Sequence, residues 1–76
     1  QIEIKTDHIA RSLADISAIF SRRQIAILSV LVYPGDEDDS KILVFRVQTM
    51  NPASIIKDVK SKGYQVLWPA VQRDLP

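Results

Sequence analysis

Ile2 and Ile4 alternate with Glu3 and Lys5, the period-two pattern of a strand with one buried face. The period then lengthens. Ile9, Leu13, Ile16 and Phe20 recur at helical spacing, with the small Ser17 on the same side and Arg11, Asp15 and Arg22 on the other. Thr6 and Asp7 offer side-chain oxygens to the unpaired N–H groups of this helix start, and Ser12 is a later candidate cap. Arg22 and Arg23 fall in the last turn, where cations oppose the negative end of the helix dipole; an anion site is the alternative use.

The next run, Ile25 to Tyr33, is apolar on both parities and rich in β-branched residues, which predicts a strand covered on both faces or nearly so. Pro34-Gly35 marks a turn, and Asp36-Glu37-Asp38-Asp39 a solvated loop. Lys41 to Gln48 reads as a third strand, with Leu43, Phe45 and Val47 on one face and Ile42, Val44 and Arg46 on the other. Asn51 is placed to cap a second helix with Pro52 at its first position. Ile55, Ile56 and Val59 form its buried stripe, and Gly63 stands where a helix ends in a left-handed residue. Tyr64, Val66 and Trp68 alternate with Gln65 and Leu67 in a fourth strand, which Pro69 stops. The order βαββαβ, with right-handed crossovers and a central hairpin, predicts an α+β domain over residues 1–69. Its four-stranded antiparallel sheet carries both helices on one face, the ferredoxin-like arrangement. Residues 70–76 read as a tail or a link to a parent chain.

Composition sharpens this picture. The chain has 76 residues, 46% of them apolar, too hydrophobic for a disordered segment yet short for a self-sufficient core. It has no Cys and one His, so disulfides and an ordinary zinc site are excluded as stabilising devices, and no metal or cofactor is expected. A partner subunit or a parent chain is the remaining device. The absence of an initiator Met adds the expectation of a piece from a longer protein. Ten Lys and Arg against nine Asp and Glu give a net charge of +1, with no basic stripe for nucleic acid. No apolar run approaches the roughly 20 residues of a membrane span, and the start lacks a signal-peptide apolar region. A cytoplasmic location is expected.

The fold hosts many unrelated activities, so function rests on sites. Metal transfer on it uses a Cys pair in the first loop, which is absent. RNA binding uses aromatics on the two central strands, where only Phe45 stands, and Phe45 reads as core. Acyl-phosphate hydrolysis needs a glycine-rich first loop, and Thr6-Asp7-His8-Ile9-Ala10-Arg11 has no Gly. His8 has no nucleophile pattern beside it and reads as exposed or capping rather than as a general base. The acidic run 36–39 lacks the alternating ligands of a calcium loop. No enzyme is expected.

Ser12-Leu13-Ala14-Asp15-Ile16, Ile25-Ala26-Ile27-Leu28-Ser29-Val30 and Gly63-Tyr64-Gln65-Val66 together resemble the ACT domain over residues 2–69. The runs 29–34, 41–46 and 64–69 are most similar to the C-terminal ACT domain of acetoin-utilisation B-type proteins, in which a tandem CBS pair precedes it. The resemblance implies a non-enzymatic regulatory module that dimerises through strand two, with CBS domains in its parent chain. It also implies a ligand site between the first loop and the start of strand two, often across a dimer interface. The family's Asp-x-Pro-Gly-x-Leu loop maps His8 onto the Asp, Ala10 onto the Pro, Arg11 onto the Gly and Ser12 onto the residue before the Leu. Its His-Gly-Ile-Asn motif maps Gln24 onto the Gly and Ala26 onto the Asn. Three ligand-contacting features are thereby altered, which leaves three readings open: a structural module, an amino-acid sensor, or a sensor for another ligand such as a small carboxylate on Arg11 and His8. For the dimer edge, Ile27, Leu28, Ser29, Val30, Leu31 and Val32 are the candidates. No Pro, Gly or charge interrupts them, as an edge left bare would require.

Overall fold

A computed structural model describes residues 1–36 and 39–69. Its elements follow the chain as β1 (Ile2–Thr6), α1 (Ile9–Arg22), β2 (Ala26–Pro34), β3 (Lys41–Gln48), α2 (Ala53–Ser61) and β4 (Gln65–Trp68). The four strands form one antiparallel sheet in the order β2-β3-β1-β4, the ferredoxin-like βαββαβ arrangement expected from the sequence. The proposed tail, residues 70–76, and the loop residues Glu37 and Asp38 lie outside the described residues.

The pleat explains which side is covered. Ile2 and Ile4 of β1 stand opposite Phe45 and Leu43 of β3, and all four are buried on the side where the helices lie. Ile16, Ile19 and Phe20 of α1 and Ile55 and Val59 of α2 close the same core. Phe20 and Phe45 meet edge to face with ring centres 5.6 Å apart.

Four expectations are corrected in detail. The α1 stripe is rotated from the expected one: Ser12 and Ile19 are buried, whereas Ser17 is exposed and Ile9 and Leu13 are half-buried at the margin. The α1 cap is His8 rather than Thr6 or Asp7, its Nδ1 accepting from the Arg11 N–H at 3.2 Å. At α2 the helix begins after Pro52, one residue late, but the Asn51 side chain still accepts from the Ala53 N–H at 3.2 Å.

The fourth concerns the outer strands. β2 is an edge strand, with Leu28, Leu31, Val32 and Tyr33 between 47% and 58% exposed, not a strand covered on both faces. Its register shifts between Ile27, opposite Val47, and Ser29, opposite Arg46, which leaves Leu28 as a bulge. A second shift sets Glu3 opposite Trp68 and Ile4 opposite Val66, with Leu67 as the extra residue. One extra residue reverses the facing of its successor, so Trp68 lies on the helix-free side with Glu3 instead of joining Val66 in the core.

Candidate functional site

The first loop is held by a small polar network. Thr6 Oγ1 accepts from the His8 N–H at 3.0 Å and lies 2.6 Å from Ser12 Oγ, which donates to the His8 carbonyl at 2.8 Å. Thr6 and Ser12 are buried, and both hydroxyls are used within the chain. Of the residues mapped onto a ligand loop, Ser12 is therefore structural, while His8, Ala10 and Arg11 are exposed at the start of α1. His8 combines exposure with capping, as its sequence context suggested.

Beside this network the Tyr64 hydroxyl donates to Asp15 Oδ2, tying the start of β4 to α1. Sequence reasoning placed Asp15 on the outer face and gave Tyr64 no partner; their 49-residue separation carries no local signal. Burial, and then the hydrogen bond to Asp15, hold the Tyr64 phenol above its usual value of 10.0. A phenol raised on folding stabilises the fold fully below that ordinary value, and the contribution is lost as pH rises through the raised one. Tyr64→Phe is expected to cost about 1 kcal/mol near neutral pH and to remove this alkaline component. Urea midpoints on both sides of pH 10 check it; equal alkaline losses in the two proteins would contradict the assignment.

The second predicted segment lies at the far end of α1. Gln24 adopts a φ of 57°, in the left-handed region. Its N–H donates to the Ser21 carbonyl at 3.0 Å, and the Ile25 N–H to the Phe20 carbonyl at 3.0 Å, a complete helix-ending motif. α2 ends the same way: Gly63, at φ 95°, donates to Lys60, and Tyr64 donates to Val59. Gln24 thus does the work that Gly63 does on the other helix. Arg23 Nε donates to Asp58 Oδ2 at 2.6 Å, an exposed pair between the helices. Chiefly through that bond, Arg23 holds the Asp58 carboxyl below its usual range, with Arg22 and Lys57 adding smaller pulls.

The two halves of the predicted ligand site do not meet within one chain. The 14 residues of α1 separate His8 from Arg23, about 20 Å at 1.5 Å per residue. β2 runs in the same direction as β1, so Ala26 marks one end of the sheet while Pro34 lies level with Thr6 at the His8 end. The dimer-edge candidates behave differently: they form one continuous outer edge on which β2 has no neighbouring strand.

Among the described residues no three His, Cys, Asp or Glu side chains gather to hold a metal, and no helix is long and apolar enough to cross a membrane. No family model and no solved structure matches the chain.

Proposed function

We propose that this chain is a non-enzymatic regulatory module of the ACT type that self-associates through β2. In the parent protein it couples a CBS pair, in a system of the acetoin-utilisation kind, to a second copy of itself. The observation that carries the reading is the bare edge of β2, nine residues long and lined by half-exposed Leu28, Leu31, Val32 and Tyr33. Such an edge is an aggregation template unless another strand covers it, and a second β2 is complementary to it by symmetry.

Antiparallel pairing of two β2 strands has a further consequence for the predicted site. It brings Gln24 and Ala26 of one copy to the end of the sheet where the other keeps His8 and Arg11. The residues that are far apart in one chain would then face each other across the interface. Gln24 adds support, since its left-handed backbone stands where the family motif has Gly.

Sedimentation at micromolar concentration tests the association. We expect more than one copy per particle, and Leu28→Lys/Val32→Lys to yield monomers, because charges on an edge strand oppose pairing. Both side chains are about half exposed, so the monomer fold tolerates the change. A monomeric parent sequence would sink the proposal.

A sensor role is the second reading, favoured by the exposed Arg11 at a helix start with no acid in its first turn. A thermal-shift screen over amino acids and small carboxylates separates the two. A ligand at 100 times its dissociation constant stabilises the bound fold by about 2.7 kcal/mol, whereas a purely structural module shows no shift.

A further inference from the structure

The helix-free side of the sheet is unevenly built. Strand register sets Tyr33, Ile42, Lys5 and Gln65 in one row, and Leu31, Val44, Glu3 and Trp68 in the next. In these two rows the β2–β3 half is apolar and the charges lie on β1, while Arg46 of β3, opposite Ser29, puts a charge in the row beyond. Leu31, Tyr33, Ile42 and Val44 line a shallow groove on this side, bordered by Glu3 and Arg46. Arg46 is exposed and has no acidic partner among the described residues.

The apolar half adjoins the edge proposed for pairing, so pairing through β2 would set two such halves side by side at the centre of an eight-stranded sheet. We infer that two of these pairs stack face to face through the whole helix-free side, with the joined apolar strips at its centre, giving a four-copy assembly with dihedral symmetry. The inference rests on the β2 pairing proposed above. Charge supports a second copy as the occupant. Glu3 and Arg46 border the same groove with opposite signs, so a two-fold axis through the stack can set each Arg46 against a Glu3 of the facing copy.

Area supports the order of events. Four strands about 4.8 Å apart and roughly 20 Å long offer roughly 400 Å² per chain, half of the roughly 800 Å² per partner in a standard interface. Two paired sheets reach that size, whereas one alone does not. Face stacking therefore follows edge pairing and does not occur without it.

Sedimentation equilibrium of the 76-residue chain and two variants provides the test. The parent sequence is expected as four copies, Ile42→Lys as two, and Leu28→Lys/Val32→Lys as one. Circular dichroism and urea midpoints establish that each variant is folded, and Arg46→Glu serves as a second face variant should Ile42→Lys unfold. A parent sequence of two copies that Ile42→Lys or Arg46→Glu leaves unchanged overturns the stacking and spares the edge pairing. A monomeric parent sequence overturns both. Four copies that persist in the folded face variants also overturn the stacking.

Discussion

Phe45→Ala is expected to lower the unfolding free energy by about 3–5 kcal/mol, the usual cost of removing a buried aromatic ring. The ring is fully buried, sits on the inner strand β3, and meets Phe20 edge to face at 5.6 Å. Its loss leaves a cavity between β3 and α1 that Ile2, opposite it on β1, is too short to fill. A chain of this length carries about 4–11 kcal/mol of stability in all, so the variant should lose a third or more of it. Urea titration by circular dichroism measures this directly. Phe45→Leu, which retains most of the volume, should recover more than half of the loss. A change below about 1 kcal/mol for the alanine variant would contradict this packing.

Ser12→Ala ranks second, at about 1–3 kcal/mol, because it strands a buried polar group instead of opening a large void. Ser12 Oγ is the short-range partner of the Thr6 hydroxyl, and Thr6 is also the acceptor for the His8 N–H. Without Ser12 the Thr6 hydroxyl still accepts from the His8 N–H but can donate only to the His8 carbonyl at 3.5 Å. The double variant Thr6→Val/Ser12→Ala should cost less than the sum of the single variants, since their hydroxyls serve each other. Additive losses would show that the two act independently. The loss in Ser12→Ala should also reach the helix start, visible as faster amide exchange over residues 9–12, which lie on the first turn of α1.

The predictable elements share one property: their evidence is local. Ile2 and Ile4 announce β1 by alternation, the parity of residues 41–48 separates the two faces of β3, and Gly63 supplies the left-handed residue that ends α2. Edge or centre is a different matter. The apolar run in β2 fits a doubly covered strand and equally an edge awaiting a partner, and only strand order separates these cases. The bulges at Leu28 and Leu67 are likewise relations between strands, which is why Trp68 changes sides against its alternation with Val66. Gln24 shows another limit, because a left-handed backbone is anticipated from Gly and not from Gln.

Only part of the predicted site was legible for the same reason. His8 reads from the sequence as exposed or capping and is both. Ser12, mapped onto a ligand loop by resemblance, is consumed by Thr6 and the His8 carbonyl, partners at distances that a linear motif does not encode. The opposite-end placement of His8 and Gln24 follows from the length and direction of α1, which the sequence already contained.

Strand order also bears on how the chain comes into being at the ribosome. β1 is the first of the four strands to be synthesised, yet it is an inner strand whose neighbours are residues 41–48 and 65–68. Its backbone hydrogen-bonding groups remain partly unmatched until β4 emerges, and no N-terminal fragment ending before Gln65 can complete the sheet. Closing these distant pairings makes folding slower than for a helical chain of equal size. During that interval the outer edge of β2, which no strand of the finished sheet covers, is exposed as well. Of these four strands, the first made is the last to be enclosed.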